Sequence, residues 1–439
     1  MADPVAHEYA PELVIALVGA VGSDLDSVEA ALTDKFRAAR YEVVHVRLSR
    51  LMRDLPAYAY LADKQYDGED ERIDTHMDAG NNLRDRSKRG DAIALLGVTA
   101  IQEERAQLRC DRNLKDNEVP SRVAYIIKSL KHPHEVQTLR KIYGPHLYVV
   151  SVYAPRHARK RSLQAFIARS RHTFYEDQFV DKAEYLVEKD EKEADNPMGQ
   201  NVHDTFPEGD FFIEQRDDVL SQCNRFINLI FGHPYMTPTR DEYAMFHAFA
   251  TARRSADLSR QVGAVITNSE GGIISVGCNE VPKPGGGSVW AEDVDDASDD
   301  QTFVLAKMPV RFMKNQIVTE IFKSIKDKKP EILSESYRKK NPGEICDEAL
   351  RDKENPFLKE TRAANIIEFG RIVHAEMSAI TDAARRGLSI ANSTLYCTTF
   401  PCHMCARHII SAGIMRVVYI EPYPKSMAQQ PLQGCGPGR

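Results

Sequence analysis

A short His/Glu/Cys pattern near the C-terminal end constrains this chain most. Residues 374–376 read H-A-E, and residues 401–405 read P-C-H-M-C. A catalytic zinc ion needs three protein ligands and one open position for water. A C-x-x-C at the start of a helix places both sulfurs on one side of the first turn, where free N–H groups and the helix dipole favour thiolate. The pattern therefore predicts a catalytic zinc site with His374, Cys402 and Cys405 as ligands.

Glu376 follows His374 too closely to be a further ligand on the same helical face. It is placed to carry a proton from the zinc-activated water, whose pKa zinc lowers from about 15.7 to about 7, to a leaving amine. The alternatives are a buried cysteine pair or a structural zinc site, which closes with four Cys or His ligands. For that fourth ligand Cys397 and His403 are the spare candidates, but Cys397 falls on a strand-like run and His403 should point away. The sequence therefore favours a catalytic site.

Charge and composition exclude several classes of protein. The 439 residues are 42% apolar and 28% charged, which is typical of a globular protein of about two to three domains. A formal net charge of −6 gives no general attraction to nucleic acid, and eight cysteines without a paired framework fit a reducing cytoplasm. The N-terminus has no apolar signal region, and no apolar run reaches about 18 residues. We therefore expect a cytoplasmic protein without a membrane span.

Strand-like and helical patterns alternate over residues 1–232. An apolar run at 13–18, a glycine turn, a helical pattern at 25–40 and a strand pattern at 41–48 form a βαβ unit, which implies a parallel sheet. Further strands are predicted at 91–98, 122–130, 146–153 and 210–214, and further helices at 69–89, 101–117, 134–143 and 219–231. We predict a doubly wound parallel-sheet, P-loop-like α/β domain that ends before Gly232-His233-Pro234.

The turn after the first strand carries Gly19, Gly22, Ser23 and Asp24. A nucleotide P-loop reads G-x-x-x-x-G-K-[ST], with backbone amides around the phosphates and a lysine on the β- and γ-phosphates. The turn keeps the glycines and the following helix but lacks the lysine and the full spacing. Two interpretations stay open, a tight turn or a phosphate-binding loop without kinase chemistry. Asp24 argues against a strongly anionic ligand unless it caps the helix.

A basic stretch at 156–171 is either a lid with phosphate contacts or a solvated charged helix. Its cationic residues are Arg156, Arg159, Lys160, Arg161, Arg169 and Arg171. The acid-rich run at 188–195 is predicted to be a surface segment.

Residues 233–439 read as a second α/β domain. The predicted order is a helix at 239–255, a hairpin of strands 262–267 and 273–278, a helix at 374–386, a strand near 395, a helix from 402 and a strand at 416–420.

An insertion at about 285–365 interrupts this domain and is too long for a plain loop. It opens with glycines, has predicted helices at 310–326 and 347–364, and is a partner surface, a regulatory flap or a mobile excursion. Its first part contains the acidic residues Glu292, Asp293, Asp295, Asp296, Asp299 and Asp300. The final segment, 426–439, has no apolar periodicity and is predicted to be disordered.

The second domain resembles the deoxycytidylate (dCMP) deaminase branch of the cytidine deaminase superfamily. The resemblance is carried by RRSADLSRQVGAVI (253–266), VGCNEVPKPG (276–285), HAEMSAI (374–380) and TFPCHMCARHIISAGI (399–414). It implies an α/β/α core and one zinc ion on His374, Cys402 and Cys405, with Glu376 as the proton shuttle. It also implies that Asn279 holds a sugar hydroxyl; a turn-forming Asn is the alternative.

The two domains together resemble the bacterial anti-phage dCTP deaminases. That resemblance implies hydrolytic deamination of dCTP, dCMP or both to deoxyuridine nucleotides and ammonia, which depletes deoxycytidine nucleotides in defence against phage. It implies a regulatory N-terminal domain, with a nucleotide bound there, a regulatory RNA or a protein inhibitor among the expected partners, and a homo-oligomer. Family members run on past EPYPKS (421–426), and this chain has few residues beyond that point.

Other functions are less consistent with the residues. A polynucleotide (DNA or RNA) cytosine or adenine deaminase needs a basic, aromatic-lined channel beside the zinc, whereas this chain has few aromatics near the motif and an acidic insertion. Glu376 argues against a catalytically silent nucleotide-binding regulator, and the lysine-free loop argues against an active kinase. We therefore expect a deaminase of free deoxycytidine nucleotides.

Overall fold

The computed structural model describes residues 10–115, 117–191, 196–257, 260–283, 285–288, 290, 305–352, 356–358, 361 and 372–421. The chain divides into two compact units, Met1–Thr237 and Pro238–Arg439. The division lies a few residues after the predicted boundary at 232. None of the described helices is both long and apolar enough to cross a bilayer.

The first unit is built on a five-stranded parallel sheet of order β2-β3-β1-β4-β5. Its strands are β1 (Leu13–Gly19), β2 (Glu42–Arg47), β3 (Val123–Leu130), β4 (Leu147–Tyr153) and β5 (Phe211–Glu214). This confirms the predicted parallel sheet.

Ten α-helices accompany this sheet within the described part of the unit. They are α1 (Leu25–Ala38), α2 (Leu48–Arg53), α3 (Tyr60–Asp63), α4 (Glu69–Ser87), α5 (Ala92–Asp111), α6 (Pro133–Tyr143), α7 (Arg156–Ser170), α8 (Val180–Glu191), α9 (Val202–Thr205) and α10 (Val219–Ile230).

Strand β1 explains why helices cover both faces of the sheet. All seven of its residues are buried, and successive side chains of a strand point to opposite faces. Ile15 and Leu17 join a core cluster with Leu32 of α1 and Phe226 of α10. Val14, Ala16 and Val18 join a second cluster with Ile93 and Ile101 of α5 and Leu139 of α6. The strand is therefore apolar along its whole length, as a central parallel strand requires.

The prediction of a strand at 91–98 was wrong, because these residues form the start of the 20-residue helix α5. A short apolar run does not distinguish a buried strand from a buried helix segment. Here no glycine-proline turn separates the run from the helical pattern that follows. Ile93, Gly97 and Ile101 recur at four-residue spacing and are buried on one helical face.

The second unit contains a four-stranded sheet of order β7-β6-β8-β9. Its strands are β6 (Gly263–Thr267), β7 (Ile273–Cys278), β8 (Thr394–Thr399) and β9 (Arg416–Glu421). Strand β6 is antiparallel to β7 and β8, while β8 and β9 are parallel. The predicted hairpin is confirmed.

Six α-helices belong to the described part of the second unit. They are α11 (Arg240–Ala252), α12 (Leu305–Lys328), α13 (Glu335–Lys339), α14 (Pro342–Arg351), α15 (Ala375–Arg385) and α16 (His403–Ser411).

Helices cover both faces of this sheet as well. Val265 packs with Ala244 and Ala248 of α11, whereas Ala264 and Ile266 pack in the cluster that contains α15 and α16. Gly277 lets α15 approach, because a Cβ there would lie 2.4 Å from the backbone oxygen of Ala375. The result is the expected three-layer α/β/α core, with the start of α15 pressed against the end of β7.

The insertion carries a small core of its own. Val318 and Phe322 of α12 pack against Ile345, Cys346 and Ala349 of α14. The predicted helix at 310–326 lies within α12, but the predicted helix at 347–364 was wrong at 352, 356–358 and 361, the residues beyond Arg351 that the structure describes. A capping box of Asn341 and Glu344 starts α14 earlier, and Pro356 disfavours its continuation.

Some predictions fall outside the described residues. These are the acidic residues of the insertion between 292 and 300, most of 353–371, the end of the acid-rich run at 192–195, and everything after 421.

Candidate metal centre

The structure brings the predicted metal ligands together. One ligand atom each of His374, Cys402 and Cys405 lies within 4.8 Å of the others. The Nδ1 atom of His374 is 3.3 Å from the Cys402 sulfur and 3.5 Å from the Cys405 sulfur. In the described part of the chain this is the one such cluster, and Cys397 and His403 are not members of it.

The helix starts place these side chains. His374 is the residue immediately before α15, and Cys402 is the residue immediately before α16. Cys405 follows in the first turn of α16, where the backbone N–H groups have no partner within the helix. Both sulfurs therefore face the positive end of a helix.

The electrostatics of the sulfurs fit a metal ion. A hydrogen bond from Cys405, together with those from His374 and the Cys405 backbone, lowers the pKa of Cys402 to about 4. The same sulfur–sulfur contact, with burial, raises the pKa of Cys405. Of the two sulfurs, Cys402 therefore loses its proton more readily. A nitrogen and two sulfurs are the donors that zinc takes at a three-ligand catalytic site, so the residues present fit the ion.

Glu376 lies in the first turn of α15 and is 4% exposed. Burial raises the pKa of its carboxyl group, and the charge of His374 opposes that shift only in part. A buried carboxyl group whose pKa moves toward neutrality is suited to accept and return a proton. Cys397 lies fully buried in β8, as the sequence predicted for a core thiol.

Asn279 follows β7, and its amide is directed at the loop that precedes β6. Its Oδ1 accepts a hydrogen bond from the Val262 N–H at 2.6 Å, and its Nδ2 donates to the Arg260 carbonyl at 2.8 Å. A longer contact of 3.3 Å reaches Asp257. Asn279 therefore ties the loop 255–262 to the end of β7, and its contact with a sugar hydroxyl stays a prediction.

Glu280 is a residue of this site that the sequence did not single out. Its Oε2 accepts the Ala256 N–H at 2.9 Å. Its backbone N–H and carbonyl pair with those of Val373 at 3.2 and 3.0 Å, directly before His374. It links the loop to the histidine ligand. Its place beside Asn279 in the run VGCNEVPKPG was the available signal.

The glycine loop of the first unit is a tight turn with a left-handed residue. Gly22 has φ +84°, and a Cβ there would lie 2.6 Å from the Arg159 carbonyl oxygen. Asp24 caps α1 by accepting the Ser27 N–H at 3.0 Å. Asp24 therefore has the helix-capping role that the sequence analysis set as the condition for an anion to bind near it.

An internal carboxylate already occupies this loop. Asp190, at the end of α8, is fully buried and accepts the Val21 N–H at 2.6 Å. Its other oxygen accepts from Lys131 Nζ at 2.8 Å, and that Nζ also donates to the Gly19 carbonyl at 2.8 Å. One backbone amide of the loop, that of Val21, is therefore already hydrogen-bonded to Asp190. Phosphate binding by Gly19, Gly22 and Ser23 stays a prediction.

Most of the basic stretch forms α7, and several of its cations pair with carboxylates. Arg156 bonds to Glu184 at 2.6 Å, and Arg159 bonds to Glu191 at 2.6 Å. Beyond the end of the helix, Arg171 makes a two-pronged pair with Asp70. In these pairs the positive charges of the arginines are balanced by carboxylates of the same unit. In a lid that binds phosphate, those charges would be available to the phosphate instead.

The second unit matches a known family. Residues 238–421 match the family model described as the cytidine and deoxycytidylate deaminase zinc-binding region. The deoxycytidylate deaminase of enterobacteria phage T2 is 48% identical over 54 residues, which are 12% of this chain and 29% of that protein. A probable deoxycytidylate deaminase of Drosophila melanogaster is 27% identical over 180 residues, or 41% of this chain and 58% of that protein.

A solved dCMP deaminase of cyanophage S-TIM5, in complex with dCMP and dUMP, shares 21% identity. The match covers 46% of this chain and 94% of that one, at a TM-score of 0.25 that supports no conclusion. The chain spans less than two thirds of the curated relatives it matches. What the sequence comparison shows is a match of residues 238–421 to the zinc-binding region of the cytidine and deoxycytidylate deaminases, a family of hydrolases acting on C–N bonds.

Proposed function

We propose that this protein hydrolytically deaminates deoxycytidine nucleotides. The proposal starts from the match of residues 238–421 to the zinc-binding region of the cytidine and deoxycytidylate deaminases. The observation that carries the proposal is the cluster of His374, Cys402 and Cys405 with buried Glu376 beside it. In the proposal those three residues hold zinc and Glu376 is the catalytic acid and base.

The residues divide the chemistry between them. Zinc held by the nitrogen and the two sulfurs supplies the Lewis acidity that makes water a nucleophile near neutral pH. The buried Glu376 carboxylate accepts a proton as the water oxygen bonds to C4 of cytosine, and it passes this proton to N3, which receives the electron pair of the C4–N3 double bond. It then takes the remaining hydroxyl proton and donates it to the amino nitrogen as the bond from C4 to that nitrogen breaks and C4=O forms. Cytosine and water thus become uracil and ammonia.

Finer parts of the proposal concern substrate and role. The relatives named deoxycytidylate deaminase support a dCMP-type substrate. A parallel α/β unit before a deaminase unit with a long insertion supports dCTP as a further substrate, and depletion of deoxycytidine nucleotides in defence against phage. We extend the proposal to a regulatory first unit, with a nucleotide, an RNA or a protein as its ligand, and to a cytoplasmic homo-oligomer.

A substrate survey tests the proposal. The zinc-loaded full chain is incubated with dCMP, dCTP, CTP and single-stranded DNA, and uracil products are separated by chromatography. We expect turnover of dCMP or dCTP that a chelator abolishes and added zinc restores. Turnover of DNA alone, or of none of the four compounds, would contradict the proposal.

A further inference from the structure

Helix α11 directs its largest apolar side chains away from the sheet. Its buried face consists of alanines at four-residue spacing, Ala244, Ala248 and Ala252. On its outer side Tyr243, Phe246 and Phe249 are 47%, 66% and 51% exposed. A surface helix normally buries its apolar stripe and exposes polar residues. These three rings are therefore arranged for a partner outside the core.

The exposed rings form one patch with a valine of the edge strand β7. Val276 is 44% exposed. It pairs with Val265 of β6, and Val265 packs against α11. Cross-strand partners share one face of a sheet, so Val276 lies on the α11 face. We call Tyr243, Phe246, Phe249 and Val276 the α11 patch.

The area of the α11 patch fits the centre of a protein–protein interface. An aromatic side chain has about 150–250 Å² of surface, so the exposed parts of the three rings amount to roughly 300 Å². The largest apolar patch of a typical monomer measures about 300–600 Å² and often has a function. Two copies of the patch in contact contribute roughly 600 Å², half of the smallest standard interface of about 1,200 Å², and a polar rim supplies the rest.

The two ends of the patch carry opposite charges. Glu242 lies in the first turn of α11, and Arg253 caps its C-terminal end with the guanidinium 4.6 Å from the centre of the Phe249 ring. Eleven residues make about three helical turns, so Glu242 and Arg253 lie on one side of the helix, about 16 Å apart. Phe246 lies between them on that side, four residues after Glu242 and seven before Arg253. The order acid, aromatic centre, base is complementary to the same order read in reverse, which is the arrangement that a two-fold axis produces.

We propose that the α11 patch is the interface between two copies of this chain, whose α11 helices pack antiparallel about a two-fold axis. Phe246 of each protomer packs against Phe249 of the partner subunit, and Glu242 pairs with Arg253 of the partner subunit. Antiparallel packing also opposes the two helix dipoles. Helices α15 and α16, which carry the metal ligands, pack on the other face of the sheet, so this interface leaves the metal site open. It rests on the homo-oligomer of the proposed function and names the surface that forms it.

Analytical ultracentrifugation of the zinc-loaded full chain over a concentration series measures the dissociation constant of the dimer. Phe246→Asp places a charge at the centre of the interface, and we expect Kd to rise at least about 30-fold, the effect of losing a central aromatic side chain. Phe174→Asp is the matched control, because Phe174 is a 99% exposed aromatic residue of the first unit. Its Kd should stay within about twofold of the wild-type value, the effect of a surface substitution away from the interface.

Charge reversal tests the antiparallel arrangement. Glu242→Arg and Arg253→Glu each place like charges across the axis, and each should raise Kd about 10-fold or more. When the two variants are mixed in equal amounts, a heterodimer about as tight as the wild-type dimer should form, because each position 242 then faces an opposite charge at position 253 of its partner. Glu242 also accepts the Thr239 N–H at 2.7 Å. Mixing does not restore this cap, so recovery in the mixture reports the interface alone.

Three results would overturn this interface. They are a wild-type chain that stays monomeric at every concentration, an unchanged Kd in Phe246→Asp, and a mixture of the two charge variants that forms no heterodimer. None of these measurements involves turnover, so each of these results would leave the deaminase function standing. A wild-type chain that dimerises as expected but deaminates no cytosine compound would remove the proposed deaminase function and keep the interface.

Discussion

Replacement of Asn279 by alanine tests whether its amide holds the loop before β6. The side chain is 7% exposed, and alanine deletes its bonds to the Val262 N–H and the Arg260 carbonyl. Each buried polar group left without a partner costs about 1–3 kcal/mol. Val262 and Arg260 are both partly exposed, so in the variant water can form some of the hydrogen bonds that the Asn279 amide made. We therefore expect a destabilisation of about 2 kcal/mol.

Calorimetry of the full chain measures this loss. For a unit of this size about 2 kcal/mol lowers Tm by about 4–8 °C, and the decrease should be confined to the transition of the second unit. Gln261→Ala is the matched control, an exposed amide of the same loop, and should change stability by less than about 0.5 kcal/mol. A variant that keeps the wild-type Tm and loses only affinity for the nucleotide would refute the reasoning, because the amide would then serve the substrate and not the loop.

Two further predictions concern the first unit. Asp190→Ala leaves Lys131 without its buried partner and should destabilise the unit by about 3–5 kcal/mol. Hydrogen exchange of the Val21 amide should accelerate, and an unchanged rate would contradict the bond to Asp190. The second prediction concerns Asp91, whose pKa is lowered from 3.8 to about 2 by hydrogen bonds from Arg89 and Thr138. Ionised Asp91 therefore stabilises the fold above about pH 4. This stabilisation is lost as the pH falls toward 2 and the carboxylate is protonated. Asp91→Asn should cost about 1–2 kcal/mol in urea denaturation at pH 7 and progressively less below pH 4; a cost independent of pH would contradict this.

Patterns within one segment predicted most of what the structure shows. Helix geometry fixes the directions of the two sulfurs of the C-x-x-C at 402–405. Their approach to His374, 28 residues earlier, was predicted from the metal-binding chemistry of the three donors, and the structure brings the three together. The parallel sheet followed from the apolar runs around β1 and β3. Helix α5 was divided into a strand and a helix because its buried first turns are as apolar as a central strand.

Other contacts between distant segments were not indicated by any sequence pattern. Asp190 reaches a loop amide 169 positions away, and Glu280 pairs with Val373 across the whole insertion. The spacing of neither residue in the sequence predicts its partner, because each contact forms only when the folded sheet brings separate loops together. For the same reason the sequence did not predict the ion pair between Arg260 and Glu421.

The most direct test of the catalytic centre is Glu376→Gln, with zinc content and dCMP turnover measured on the same preparation. Glutamine keeps the shape of the buried side chain but does not carry the proton. We expect one zinc ion per chain, as in the wild type, and turnover lower by about 100- to 10,000-fold, the range of general acid–base catalysis. Loss of zinc together with activity would show that Glu376 is a ligand, and undiminished turnover would show that another group moves the proton.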